Sequence, residues 1–356
     1  MSDVTIDVRM LEHSGIGTYI RNVVPRIVAA RPQVSFTLLG EPEALDWGYP
    51  NVRVIEARAP IYSVKEQLEL PRLIPETTAL FWSPHYNIPL SYRGKLLVTV
   101  HDVFHLVTND LSLPKELYAQ GMFRAVRRKA DAIVTVSEFS KNELLRLTGE
   151  GRQDITPVHI GVDRAWFEIL EKSRPYPKPY LLFVGNVKPH KNVRGLVKAF
   201  ELVQRQLPHD LVIVGKREGF LTADEGVASL AASLGERVRF TGFVEDAQLK
   251  SLVKHADALV LPSFYEGFGL PPLEAMACGC PVVVSDIPPL QEVCGDAALY
   301  CDPHSPQAIA AKLMQLMDDE SLRASLVQKG LARAQQFTWD KCAEKTLEVM
   351  DRVLQS

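Results

Sequence analysis

No cysteine precedes Cys278; the five present are at 278, 280, 294, 301 and 342. Cysteines placed so late cannot be a disulfide framework for the chain. Four of them follow C-x-C-x13-C-x6-C, without the C-x2-C pair usual for zinc. Cys278 and Cys280 flank a glycine in an apolar stretch and are read as packing. No run of 18 apolar residues is present, so no membrane span is expected. The start, Met-Ser-Asp-Val-Thr-Ile-Asp, lacks the charged-then-apolar order of a signal peptide, and the expected location is the cytoplasm. Charge of one sign is not in excess either, at 40 basic against 43 acidic residues and a net −3. No global basic field calls for nucleic acid, which still leaves room for a local basic cleft around one small anion.

Several catalytic signatures are also missing. There is no G-x-x-x-x-G-K-[ST] phosphate loop and no G-x-S-x-G nucleophile elbow. No D-x-D follows a strand-like run, so the usual acidic anchor for a nucleotide-bound metal is absent and no metal is expected. Any bound diphosphate must then be met by fixed cations and helix dipoles.

What is present is globular: 46% hydrophobic and 23% charged residues. At about 150 residues per domain, 356 residues suggest two domains. Strand-like runs cover 4–8, 35–39, 80–82, 96–100 and 132–136, then 180–184, 211–214, 238–241, 258–261 and 281–285. Helical patterns lie between them, including 17–30, 116–129, 193–206 and 306–335. Several strands are continuously apolar, as parallel strands buried on both faces are. The β-α alternation predicts an α/β protein of two doubly wound parallel sheets. The break is placed near 164–179, where Ser173–Pro179 carries three prolines in seven residues and reads as a hinge linker.

Ligands of such sheets bind beyond the carboxyl ends of the strands. After the strands of the first half come His13-Ser-Gly-Ile-Gly17, His85, His101-Asp102 and Ser137-Glu138. After those of the second come Gly185 to Lys191, Gly215-Lys216-Arg217, Gly242-Phe243-Val244, Ser263 to Glu266 and Ser285-Asp286. Two such rims facing each other would make an interdomain cleft.

Glu266-Gly-Phe-Gly-Leu-Pro-Pro-Leu-Glu274 is the sharpest segment. Gly267 and Gly269 let backbone N–H groups approach a ligand, and Pro271 and Pro272 suit the first turn of a helix. Such a terminus attracts a diphosphate, and Glu274 is placed in that first turn. Gly15 and Gly17 either cradle a ligand or make a tight turn with positive φ. Lys191 can neutralise phosphate as a point charge, and so can Lys188, Lys216 and Arg217. Arg124, Arg127 and Arg128 are placed on one helical face, extended by Lys129: either a solvated face or a contact for an anionic membrane.

The run Glu266 to Val283 strongly resembles the E-x7-E region of family-4 retaining glycosyltransferases of GT-B fold. Supporting likeness runs through 15–17, 99–102, 136–137, 159–163, 183–185, Lys191, 214–215 and 240–242, nearly the whole chain. The resemblance implies sugar transfer from a nucleotide-diphosphate donor, retention at the anomeric carbon, and no cofactor or metal. By position, Glu266 would act on the donor sugar and Glu274 on the nucleotide ribose. The backbone of Gly267, Phe268, Gly269 and Leu270 would meet sugar and phosphate, with Lys191 on the diphosphate. Gly15 and Gly17 would close over the donor, His101 would sit beside the transferred sugar, and Phe243 and Val244 would line the base pocket. Gly185 and Lys216 join the donor side; His13, His85 and Asp102 are the acceptor-side candidates. One departure matters: many relatives carry Arg where this chain has Asn186, leaving Lys188 or Arg217 to substitute.

In the family the last helix returns to the first domain, which gives an N-terminal domain of 1–168 plus 338–356 and a donor domain of 169–337. The stretch Asp7 to Tyr19 looks like that of bacterial polysaccharide mannosyltransferases using GDP-mannose, with a glycan or lipid-linked glycan as acceptor at the inner membrane face. The alternatives are a UDP-sugar donor, a catalytically silent GT-B partner subunit and a nicotinamide-dependent dehydrogenase. The last rests only on G-x-G followed by Glu41.

Overall fold

A computed structural model describes residues 3–45, 47–108, 111–149, 151, 153–169, 173–215 and 225–356. The chain divides into two compact units, Met1–Gly161 with Thr338–Ser356, and Val162–Phe337. Each is built on its own parallel sheet.

The first unit holds β1 (Asp3–Asp7), β2 (Ser35–Gly40), β3 (Val52–Glu56), β4 (Thr78–Ser83), β5 (Leu96–Val100), β6 (Ala132–Thr135) and β7 (Asp154–Pro157). Their order is β3-β2-β1-β4-β5-β6-β7. The second unit holds β8 (Tyr180–Val184), β9 (Asp210–Val214), β10 (Val238–Gly242), β11 (Ala258–Leu261), β12 (Val282–Ser285) and β13 (Ala298–Cys301), ordered β10-β9-β8-β11-β12-β13. All these pairings are parallel. The central strands are apolar and fully buried because helices cover both faces, as in Leu96–Val100 and Ala258–Leu261. Strand order reverses between β1 and β4, and again between β8 and β11; such switch points open a crevice at the carboxyl ends.

Three strands escaped the sequence reading: β3, β7 and β13. All three are sheet edges. They are short or part-exposed, and β7 ends on Pro157, so they lack the continuous apolar run of inner strands. The helical pattern at 306–335 is two helices, Pro306–Asp318 and Glu320–Ala334. Asp319 divides them, its carboxylate accepting from Leu322 N at 2.9 Å as an N-cap.

The expected boundary at 168/169 falls instead at 161/162. There the chain crosses twice side by side: Val162 N–H donates to Phe337 O, while a Cβ on Gly161 would lie 2.1 Å from Trp339 N. Residues 173–179 are not a free linker. The Tyr176 hydroxyl donates to Asp210 at 2.8 Å, and Arg174 pairs with Asp257, both in the second unit. The last helix, Trp339–Gln355, lies on the first unit, tied by Arg26–Asp340 and Arg31–Asp351 and by Lys95 Nζ to its terminal carbonyls. The five cysteines are buried free thiols.

Candidate active site

In the second unit the strand-end glycines make a low floor. Gly185 and Gly215 directly follow β8 and β9, Gly242 ends β10, and a Cβ on Gly215 would meet Gly185 O at 2.0 Å. Gly215 N–H donates to Gly242 O. Only bare backbone fits at Gly215; Gly185 and Gly242 have room for a Cβ but, like Gly215, take a positive φ that favours glycine.

Beyond Gly185 the chain makes a short turn at Pro189–Lys191 and enters the helix Val193–Val203. Asn192 adopts φ 54°, and its amide caps the helix at Gly195 N. The same amide donates to Pro262 O at 3.0 Å and Pro303 O at 2.7 Å. Phe264 N–H donates to His190 O. The loop after β8 is thereby tied to the loop after β11. The result is a bidentate ion pair: Lys191 Nζ lies 2.7 and 2.8 Å from the two oxygens of Glu266, which is 8% exposed. A pair so shielded keeps most of its Coulomb attraction, and either partner is costly to leave alone.

Glu266 leads into Gly267-Phe268-Gly269. Gly269 sits at φ 117°, and a Cβ there would come 2.6 Å from Leu290. Phe268 is buried against Phe337. The helix starts at Leu270, with Pro271 and Pro272 in its first turn. Glu274 is therefore in the second turn, not the first, and the first turn holds no acid. Its half-buried carboxyl is pushed up to about 8 by desolvation, with Asp246 adding to the rise and Lys250 opposing it. Phe243 is 67% exposed and Val244 half-buried at the end of β10. Asn186 is half-buried beside Gly185. Lys188 is exposed and lines a cavity of about 520 Å3 with Arg194, Lys198, Phe264 and His304; neither Lys191 nor Glu266 lines it. Lys216 and Arg217 lie outside the described residues.

The first unit gathers a different set. Asp7 ends β1, fully buried, and Arg9 grips it twice, Nε to Oδ1 at 2.9 Å and NH2 to Oδ2 at 2.6 Å. Arg9 NH2 also reaches Glu66 Oε1 at 2.5 Å. Asn87 donates to the second oxygen of Glu66, and the Tyr118 hydroxyl donates to Asn87. Burial would raise the Asp7 carboxyl, but the Arg9 guanidinium and the His85 hydrogen bond hold it well below the usual range. The sequence reading missed Asp7, Arg9, Glu66, Asn87 and Tyr118 as a group. One local signal was there: Ser63-Val-Lys-Glu66 is a helix-start pattern, and Ser63 Oγ does accept from Glu66 N.

The expected residues of this unit fare unevenly. His85 is wholly buried: Nε2 bonds Asp7 Oδ2 at 3.1 Å, and Nδ1 accepts from Asn87 N. It cannot touch an acceptor directly, because both ring nitrogens are spent inside. His101 donates Nε2–H to Pro84 O at 2.9 Å and stands edge-on to Tyr19. Burial lowers it to about 4, so it is neutral near pH 7. Asp102 accepts from Phe104 N at 2.9 Å. His13 is exposed and starts the helix Ser14–Ala30 with no side-chain cap bond. Gly15 and Gly17 are inside that helix, and neither has a positive φ, contrary to the tight-turn option. Gly17 serves close packing, since a Cβ would lie 2.1 Å from Leu11 O; at Gly15 the space is open. Arg127 departs from its expected face. It is buried and donates to Gly149 O at 2.9 Å, while Arg124 and Arg128 are exposed and Lys129 is half-buried.

The profile "Glycosyltransferase Family 4" matches residues 13–166, and "Glycosyl transferases group 1" matches 167–333. The chain is 33% identical over 283 residues to O-antigen chain mannosyltransferase B of Escherichia coli, covering 75% of this chain and 73% of that one. The chain belongs to the family 4 glycosyltransferases. The serotype-specific mannosyltransferase WbdA of Escherichia coli is 28% identical over 289 residues, and the match spans 77% of this chain but 35% of WbdA. The solved structure of Anabaena HepE in complex with UDP and glucose superposes with a TM-score of 0.76 at 16% identity, covering 99% of this chain and 100% of that one. This glycosyltransferase thus has the GT-B fold, two Rossmann-like parallel-sheet units. No helix of its described residues is long and apolar enough to cross a membrane.

Proposed function

We propose that this glycosyltransferase moves mannose from GDP-mannose to a glycan or lipid-linked glycan during bacterial surface-polysaccharide synthesis, with retention and without a metal or cofactor. The observation that carries the reading is the part-buried Lys191–Glu266 pair at the β8/β11 switch point, beside a floor of glycine backbone. In this reading the diphosphate of the donor takes Lys191, and the backbone from Gly267 to Leu270 takes the remaining phosphate and sugar oxygens. Glu274 hydrogen-bonds the ribose, and exposed Phe243 with Val244 covers the base. Glu266 then faces the donor sugar. As the C1–O bond breaks, charge grows on the leaving diphosphate. Preorganised donors there supply the largest catalytic contribution. The leaving phosphate takes the proton of the acceptor hydroxyl, and the new C1–O bond forms on the same sugar face.

The mannose assignment is supported by the names of the two relatives given above, both mannosyltransferases, while other relatives are named glycogen synthase and D-inositol 3-phosphate glycosyltransferase. The test is transfer from GDP-mannose, UDP-glucose and ADP-glucose to mannose-terminated oligosaccharides, with EDTA present. The expected result is product from GDP-mannose alone, with EDTA without effect. Product from UDP-glucose alone would replace the donor, and no product from any donor would leave the silent-partner reading.

The enzyme would work in the cytoplasm, touching the membrane peripherally. On the helix Leu113–Lys129, the exposed Leu113, Leu117, Arg124 and Arg128 fall within about 60° of arc at about 100° per residue. Apolar and basic residues on one exposed face suit an anionic bilayer surface. Arg127 takes no part in it.

A further inference from the structure

The loops after β3, β4 and β5 bring Tyr62, Tyr86 and His105 together at the carboxyl end of the first sheet, with Tyr118 from the following helix. The rings form a graded stack. Phe123, in the core, lies face to face with Tyr86, centroids 4.4 Å and planes 16° apart. Tyr86 stacks in turn under Tyr62 at 5.7 Å and 29°. Tyr62 ends the series at 41% exposure, with His105 and Tyr118 edge-on at 6.4 and 6.3 Å. The series runs from core to solvent and presents an aromatic face there.

Tyr62 is held in that place against its own preference. Its φ is 63°, a left-handed value that a bulky side chain rarely adopts. Glu66 fixes it by accepting Tyr62 N–H at 3.0 Å, and Glu66 is fixed by Arg9. Strained positions that the surroundings over-determine gather at ligand sites. Polar atoms rim the stack: Tyr86 Oη lies 3.0 Å from His105 Nδ1, and the Tyr118 hydroxyl bonds Asn87. Burial raises all three phenols, so they stay protonated. Arg9, the cation behind the stack, is committed to Asp7 and Glu66 and is not available to a phosphate.

We propose that Tyr62 is the platform of a sugar subsite, on which the acceptor pyranoside lies with its apolar C–H face on the outer ring face and its hydroxyl groups toward the polar rim. A flat apolar face edged by hydroxyl groups matches an amphipathic aromatic shelf in shape and polarity. That the bound sugar is the acceptor rests on the transferase reading above; that a sugar binds here does not.

The test uses methyl α-D-mannopyranoside and methyl α-D-glucopyranoside as probes in saturation-transfer NMR on the whole chain. Wild type and Tyr62→Phe should transfer saturation to the ring C–H protons of at least one probe. Tyr62→Ala and Tyr62→Gly should lose it at least 5-fold. The glycine variant relieves the backbone while deleting the ring, so it separates platform from strain, and unfolding midpoints check that each variant folds. With a mannose-terminated disaccharide as acceptor, Tyr62→Ala should raise the acceptor KM at least 10-fold while the Kd for GDP stays as in wild type. No saturation transfer in wild type, or equal transfer in wild type and Tyr62→Ala, overturns the subsite. Sugar binding that depends on Tyr62, with no turnover from any nucleotide sugar, would instead overturn the transferase reading and leave the subsite standing.

Discussion

Both units hold a shielded ion pair at the point where strand order reverses, and the two pairs are built differently. At β1/β4 one arginine, Arg9, is shared between Asp7 and Glu66 and walled in by His85, Asn87 and Tyr118. At β8/β11 one lysine faces one glutamate, Lys191 19% and Glu266 9% exposed by side chain. The first is a closed network with its members spent on each other. The second is a single exchangeable contact between a flexible ammonium and a carboxylate. The contrast separates a support from the proposed working site: the network holds Tyr62 in place, whereas in the proposed reading an anion that competes for Lys191 opens the pair.

That contrast can be broken by mutation, starting where the effect is largest. Arg9→Met leaves Asp7 and Glu66 buried without their cation, and should cost about 3–5 kcal/mol of stability. Urea unfolding followed by tryptophan fluorescence measures it. A loss under about 1 kcal/mol would mean the network is not closed. Lys191→Ala should weaken nucleoside diphosphate binding by about 1.5–3 kcal/mol and leave nucleoside binding alone. Titration calorimetry with GDP and guanosine decides; equal loss for both ligands would take Lys191 off the phosphates. Glu274→Ala should weaken both ligands together, by about 1–3 kcal/mol, because in the proposed reading its partner is the ribose. Intact affinity would remove that role.

Protons sharpen the same comparison with opposite signs. In the second unit Glu274 keeps its proton to about 8 when folded, against 4.5 as its ordinary value. The unfolded chain loses that proton first, so this contribution to stability falls as pH rises from 4.5 to about 8. In the first unit His101 is neutral down to about 4, against an ordinary 6.5. The unfolded chain gains that proton first, so this contribution falls as pH drops from 6.5 to about 4. Melting temperatures across pH should therefore flatten on the neutral side in Glu274→Gln and on the acid side in His101→Asn. The reverse assignment would contradict both environments. The smallest effect is expected at the membrane face: Leu117→Glu should reduce sedimentation with anionic vesicles a few-fold and leave turnover on soluble acceptors unchanged.

What could be read from the chain divides along the same line. The second unit's site was legible because its needs are local. Glycines at strand ends and at Gly269, prolines in a first turn, and two glutamates eight apart all sit in short segments with one physical reading. Even there, Glu274 was placed a turn too early, since the helix begins at Leu270. The Lys191–Glu266 contact spans 75 positions and became visible only in the fold. The first unit's network was hidden for the same reason: Asp7, Glu66, Asn87 and Tyr118 come from four separate segments, and the one local spacing, Ser63 to Glu66, marks a helix start and not the network. Arg127 illustrates the limit of helical-face reasoning. Its spacing from Arg124 put it on the surface, but Gly149 O behind the helix gave its guanidinium an interior partner. The inner strands were plain from their apolar runs; the edges β3, β7 and β13 were not, because only one side of an edge strand is paired.

The most direct measurement is on Glu266→Gln, taking turnover with GDP-mannose and the Kd for GDP on the same preparation. The account predicts turnover lower by about 100-fold or more, since a group working on the sugar matters chiefly in the transition state. It predicts a Kd equal to wild type or tighter, because Lys191 no longer has a carboxylate to leave. Unchanged turnover, or a Kd weakened in proportion to the lost rate, would contradict it.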